Sequence, residues 1–181
     1  MRIIAGAAKG RRLKAPKGPL TRPMMDRAKE AIFSSLGAAV TEAAVLDLYA
    51  GSGNLGLEAL SRGARHAVFV EWRRAARQVI EANIAAVGLG GEVVAAKVED
   101  FLGHGTGSYD LAFVDPPYDL ALPSVEAILG QLVRWLADDA TVVVHRRSGS
   151  GAIAGIPGLV LSDRRKYGDA DITRFMKEAK A

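Results

Sequence analysis

Residues 45–56 read Val45-Leu46-Asp47-Leu48-Tyr49-Ala50-Gly51-Ser52-Gly53-Asn54-Leu55-Gly56, and this stretch decides the fold. An apolar strand carrying a single carboxylate runs into a glycine-rich turn. Residues 55–62 then read as helix, with Gly63 as the stop. Glycine adopts backbone angles that other residues avoid, and it lets a ligand approach the chain closely. The spacing Gly51-x-Gly53-x-x-Gly56 matches the dinucleotide fingerprint, in which a pyrophosphate sits on the helix N-terminus.

Two acids turn the reading away from a diphosphate. Asp47 lies four residues before Gly51, where a carboxylate repels phosphate and favours an ammonium or sulfonium group. Glu71 closes the next apolar run, Ala67-Val68-Phe69-Val70, 24 residues after Asp47. An acid at that point can accept both hydroxyls of a ribose. A cofactor with a ribose, a cationic centre and no phosphate is S-adenosylmethionine. Asp47, Ala50, Gly51, Ser52, Gly53, Glu71, Val98 and Asp115 are its expected holders. Two plainer readings stand beside this one: Asp47 as a buried helix cap, and Glu71 as an ordinary charge at a strand end.

The chemistry is signalled downstream, at Asp110-Leu111-Ala112-Phe113-Val114-Asp115-Pro116-Pro117-Tyr118. The apolar run reads as a buried strand that stops at Asp115. Each proline fixes its own φ and pushes the preceding residue into an extended conformation. A carboxylate, stiff backbone carbonyls and an aromatic ring therefore share one strand end. That set suits a flat molecule bearing an exocyclic amine. Asp115 and the Pro116 carbonyl accept its N–H groups, and Tyr118 stacks on its face. The plainer reading is a strand end followed by a polyproline turn.

Composition bounds the rest. A chain of 181 residues, 49% of them apolar, fits one enzyme domain, with a small appendage at most. No run of 18 apolar residues occurs, and the opening residues lack a signal-peptide pattern, so a cytoplasmic location and no membrane are expected. There is no cysteine, which excludes disulfides and thiolate chemistry. His66, His104 and His145 show no ligand spacing, so no metal is expected. Charge is uneven. Residues 1–29 hold nine basic side chains against the one acid Asp26, an excess of +8 in a chain whose net charge is +4. A basic arm on a mildly acidic body is an electrostatic footprint for a polyanion. Arginine adds bidentate phosphate contacts that lysine cannot make. Arg2, Lys9, Arg11, Arg12, Lys14, Arg22 and Arg27 are the expected contacts to that polyanion. Residues 2–6 and 12–16 are expected to form a small hairpin around Gly10, within an extension spanning residues 1–22; residues 23–181 form the catalytic domain.

Helix and strand alternate through that domain. Helices are expected at 26–36, 73–87 and 120–136, with a helical turn at 98–102. Strands are expected at 92–96, 140–145, 159–166 and 172–177, the last two antiparallel. Alternation implies a doubly wound, mostly parallel sheet with ligands at the carboxyl ends of its strands. Asp47, Glu71, Val98 and Asp115 are expected at such ends.

Taken together, the blocks Arg2-Ile-Ile-Ala-Gly, Gly10-Arg11-Arg12-Leu13, Thr21-Arg22-Pro23, Asp47-Leu-Tyr-Ala-Gly-Ser-Gly, Gly56-Leu-Glu-Ala-Leu-Ser-Arg-Gly-Ala64 and Asp115-Pro-Pro-Tyr118 resemble the bacterial RsmD family over nearly the whole chain. The resemblance implies a Rossmann-like class I methyltransferase with a seven-stranded sheet and an antiparallel C-terminal hairpin. It implies methylation of the exocyclic N2 of one guanine in 16S ribosomal RNA, with S-adenosylmethionine as donor. It implies a monomer acting on a small-subunit particle, and Asp115, Pro116, Pro117 and Tyr118 as the catalytic set. The chain departs from the family pattern in three places. Met24-Met25 replace the usual Thr-Thr. Lys97 replaces an acid near the adenine, which leaves the Val98 backbone as the adenine contact. His145 stands where a glutamate is common. None of the three is expected to touch the methyl-transfer centre, and a free Asp115 carboxylate is expected to suffice without a catalytic histidine. The rival readings are an adenine-N6 DNA methyltransferase, a glutamine methyltransferase, a nicotinamide-dependent oxidoreductase and a binding module without catalysis.

Overall fold

The computed structural model describes residues 1–16 and 26–179. Helix α1 (Asp26–Leu36) leads into strand β1 (Ala44–Leu48), α2 (Asn54–Ser61), β2 (His66–Val70), α3 (Arg74–Val87), β3 (Glu92–Val94), α4 (Val98–Gly103), β4 (Tyr109–Val114), α5 (Leu122–Leu132), β5 (Leu136–Arg147), β6 (Leu159–Tyr167) and β7 (Ala170–Lys177). One sheet runs β3-β2-β1-β4-β5-β7-β6. Its first five strands are parallel, and β7 pairs antiparallel with both β5 and β6. The expected sheet is therefore the observed one. No helix of the described residues is long and apolar enough to cross a membrane.

Strand alternation sorts the core into two layers. Val45, Leu111, Phe113 and Val143 pack with α1, α2 and α3, whereas Leu46, Leu48, Ala112, Val114, Val142 and Val144 pack with α4 and α5. Every residue of β1 is buried, as a parallel strand covered on both faces requires. The strand order reverses between β1 and β4, which puts a crevice at their shared carboxyl ends.

Three expectations need correction. The helix expected at 120–136 ends at Leu132, and a 3-10 turn, Val133–Trp135, hands over to β5 at Leu136. Trp135 is drawn out of the helix by its ring stack on Phe101 at 4.5 Å and by its Nε1–H donation to the Leu102 carbonyl at 3.2 Å. Strand β3 is shorter than expected, and Val98 lies not at a strand end but at the first position of α4. At the N-terminus the expected hairpin is present in short form: Arg2 bridges Arg12 antiparallel, the Ile3 and Leu13 amides donate to the Arg11 and Met1 carbonyls, and the Gly10 amide donates to the Ile3 carbonyl.

That N-terminal segment is not a loose arm either. Ile3 and Leu13 are buried in the same core as α1 and α2. The fully buried Glu58 of α2 accepts the Ile4 and Ala5 amides at 2.8 and 3.0 Å. It also pairs with Lys29 at 3.0 Å and Arg62 at 2.8 Å. The Ser61 hydroxyl donates to the Ala5 carbonyl and accepts the Ala8 amide. Asn83 of α3 accepts the Lys14 amide and donates to the carbonyls of Lys14 and Ser52. One amide side chain thus ties the N-terminal segment to the glycine-rich turn. The basic residues face outward: Arg2, Lys9, Arg11, Arg12, Lys14 and Arg27 are exposed. Arg2 pairs with Asp26 at 3.3 Å. Arg22, and the expected boundary between the extension and the domain, lie outside the described residues.

Candidate active site

The crevice is built by three consecutive strand ends. Leu48 is in register with both Val70 and Val114. The residues that follow them therefore meet: the turn 49–53, Glu71, and Asp115 with its prolines. The Ala50 amide donates to the Val70 carbonyl and the Asp115 amide to the Leu48 carbonyl. The turn itself carries strained backbone. Tyr49 has φ 58°, and Gly51 and Gly53 have φ 58° and 75°. A Cβ on Gly51 would meet only the Tyr49 carbonyl oxygen, at an ordinary 3.7 Å. A Cβ on Gly53, however, would come within 3.3 Å of Ile80, Leu57 and Phe69, so the absence of a side chain there serves packing as well as any ligand.

Asp47, expected among the cofactor's holders with a buried helix cap as the plainer reading, is buried. Alternation turns its side chain toward α2, where its Oδ2 accepts the Gly56 amide at 2.9 Å and only 2% of the residue is exposed. It is the cap that anchors the helix following the turn. Burial pushes its carboxyl well above the ordinary range, and the charges of Asp115 and Glu71 push it further. That coupling shows all three acids gathered at one place.

Glu71 is buried at the crevice wall. Its Oε2 accepts the Gly51 amide at 3.1 Å, and its Oε1 accepts the Arg73 amide and guanidinium at 2.9 and 3.2 Å. It therefore shapes the turn directly. Ala50, Ser52 and Gly53 are buried and Gly51 partly so. Val98 buries its side chain and begins α4, so its amide is one of the helix's first N–H groups without an intrahelical acceptor. Pro116 is buried, Pro117 exposed, and Tyr118 44% exposed.

The structure overturns one expectation outright. His145 touches the centre: its Nδ1 lies 2.7 Å from Asp115 Oδ1. Val144 is in register with Val114, so the next residues on the neighbouring strands come level on the same face. The imidazole also meets the Tyr118 ring edge-on at 6.2 Å. Burial by itself would lower the pKa of His145. The Asp115 carboxylate outweighs it, Asp171 adds to that, and the ring titrates above the ordinary histidine value. Arg146 was likewise not singled out from sequence. It is buried and donates to the Leu120 and Ser150 carbonyls, clamping the loop that follows Tyr118. Only their position at a strand's carboxyl end could have flagged either residue.

Among the described residues no group of His, Asp or Glu is arranged to hold a metal. The chemistry on offer is organic: hydrogen-bond acceptors for an amine, a ring for stacking, and a glycine turn flanked by a carboxylate for a ribose.

Known proteins resemble this chain over most of its length. A family model described as conserved hypothetical protein 95 matches residues 1–176. Ribosomal RNA small subunit methyltransferase D of Escherichia coli K12 is 38% identical over 83% of this chain and 77% of its own length. A Bacillus subtilis protein provisionally named rRNA methyltransferase YlbH is 33% identical over 98% of this chain and 99% of its own. The solved structure of an Escherichia coli chain, provisionally named methyltransferase yhhF, superposes with a TM-score of 0.88 at 35% identity, covering 99% of both chains.

Proposed function

This chain belongs to the RsmD family of ribosomal RNA small subunit methyltransferases, and from that premise and the crevice geometry we propose that it methylates the exocyclic N2 of a guanine in 16S ribosomal RNA. S-adenosylmethionine supplies a methyl group on a positively charged sulfur. The residues present fit that donor: the Gly51–Gly53 turn offers close backbone approach, and Glu71 beside Gly51 offers acceptors for ribose hydroxyls. In this reading the Val98 amide, at the start of α4, contacts the adenine.

The observation that carries the reading is Asp115, held at the switch-point crevice between β4 and the glycine turn and followed by Pro116, Pro117 and Tyr118. A guanine amine is a poor nucleophile because its lone pair is delocalised into the ring. Asp115 and the Pro116 carbonyl each accept one of its N–H groups, which shifts the nitrogen toward tetrahedral geometry and localises the lone pair. Methyl transfer from the donor would put positive charge on the nitrogen, and the Asp115 carboxylate would offset that charge until an N–H proton passes to solvent. Positioning supplies most of the rate. Tyr118 stacks on the extruded base, worth roughly 1–3 kcal/mol. The exposed Arg2, Lys9, Arg11, Arg12, Lys14 and Arg27 contact RNA phosphates, and Arg22 joins them. The enzyme acts as a monomer in the cytoplasm on an assembled small-subunit particle.

The test is transfer of labelled methyl groups to undermethylated small subunits, with the product nucleotide mapped. Label on a guanine N2 of the small-subunit RNA is the expected result. Label on protein or on adenine overturns the assignment. Calorimetry with S-adenosylhomocysteine and with NAD separates methyl transfer from hydride transfer.

A further inference from the structure

We propose that His145 is the positioning residue for methyl transfer: it donates from Nδ1 to Oδ1 of Asp115, turning the other carboxylate oxygen, Oδ2, to the amine, while its ring edge supports Tyr118. The proposal rests on the reading of Asp115 given above. It stands on geometry. The Nδ1–Oδ1 separation is 2.7 Å, the His145 side chain is 5% exposed, and the Asp115 side chain is 34% exposed, so the carboxylate bridges a buried holder and an open crevice. An ionised carboxylate only accepts, so the proton of this hydrogen bond sits on Nδ1 in both the charged and the neutral ring.

Asp115 precedes two prolines that stiffen its backbone, but without His145 its side chain is free to rotate about χ1 and χ2. A strand end fixes where the carboxylate begins and not where its oxygens point. His145 comes from the neighbouring strand at the same level, so the hydrogen bond spans two elements that the sheet already holds in register. The charged groups facing the imidazole are Asp115 from the end of β4 and Asp171 from β7, the latter itself paired with Arg164 of β6. Tyr118 closes the remaining side through its edge contact. One buried ring therefore sets both the acceptor for the amine and the platform for the base.

Single-turnover methylation of undermethylated small subunits at saturating cofactor tests this, with S-adenosylhomocysteine affinity measured in parallel. His145→Leu is expected to lower the rate about ten- to a hundredfold, the scale of a misplaced catalytic group, with cofactor affinity within twofold. His145→Asn, whose amide can donate from near the Nδ1 position, is expected to recover the rate to within about fivefold of wild type. Adding His145→Leu to Asp115→Asn is expected to cost nothing further. A His145→Leu rate within twofold of wild type overturns the proposal, as does His145→Asn falling as far as His145→Leu. The underlying reading has its own control. If Asp115→Asn keeps the wild-type rate, the role of Asp115 fails and this proposal with it. If Asp115→Asn is inactive while His145→Leu is unimpaired, only the positioning role of His145 fails.

Discussion

Glu58→Gln is the most revealing single change for the architecture. Glu58 is fully buried and receives four donors: the Ile4 and Ala5 amides, the Lys29 ammonium and the Arg62 guanidinium. Lys29 is fully buried as well, and its other acceptors are the Arg2 carbonyl and Asn54 Oδ1. A glutamine has one acceptor oxygen where the carboxylate has two, and it sets an NH₂ group against donors. It also leaves the ammonium without its counter-charge. Removing one partner of a buried pair costs about 3–5 kcal/mol. At about 2–4 °C per kcal/mol for a chain of this size, the melting temperature is expected to fall by about 6–20 °C. Deleting residues 1–14 removes the burial of Ile3 and Leu13, about 1.5–3 kcal/mol each, and strips Asn83 of its Lys14 partner. Cofactor affinity is expected to suffer with it, because Asn83 also holds the Ser52 carbonyl of the glycine turn. Calorimetric melting without ligand, followed by titration with S-adenosylhomocysteine, measures both. The alternative is that this +8 stretch is a basic arm on which the core does not depend. A deletion variant melting within about 2 °C of wild type, with unchanged cofactor affinity, would support that view and refute the anchoring argument.

Four further outcomes are expected. Asp115→Ala should lose more than about tenfold in turnover, equivalent to about 1.4 kcal/mol of transition-state stabilisation, with S-adenosylhomocysteine affinity changed only a few-fold by calorimetry; a variant retaining most of its turnover would remove Asp115 from the chemistry. Glu71→Ala should weaken the cofactor by about 1.5–3 kcal/mol, the range for hydrogen bonds to a charged group, and unchanged binding of the folded variant would leave Glu71 as a structural anchor for Gly51 alone. Because the folded-state pKa of His145 is raised, its pairing with Asp115 contributes stability that is fully present below about pH 6.5 and is lost as pH rises through the folded value; denaturant unfolding across that window should show the loss in wild type and a flatter profile in His145→Asn. Neutralising Arg11 or Arg12 should weaken RNA binding and lower the log–log salt slope by about one unit or less each, with an unaltered slope ruling out a phosphate contact at that residue.

Much of this protein is legible along the chain because the signals are local. A buried parallel strand must be apolar throughout, an amphipathic helix must repeat every three to four residues, and a chain that turns sharply toward a ligand needs glycine. Residues 45–56 carry all three constraints in sequence order, so the βα unit and its place in a doubly wound sheet follow from the letters alone. Asp115-Pro116-Pro117-Tyr118 is local in the same sense, since proline stiffens its own neighbourhood whatever surrounds it. Long-range register decided the rest. Asp47 looked like a ligand contact because spacing cannot say which face of a strand a side chain takes relative to the next helix; packing turned it onto the Gly56 amide. The N-terminal charge looked like a free arm because charge is visible in sequence and anchoring is not: Glu58 and Asn83 lie more than 50 residues from the N-terminal backbone groups they hold. His145 is 30 residues from Asp115 and separated from it by a helix. Only the pairing of β4 with β5 brings them level, and no pattern within either strand records which residue of one will face which residue of the other.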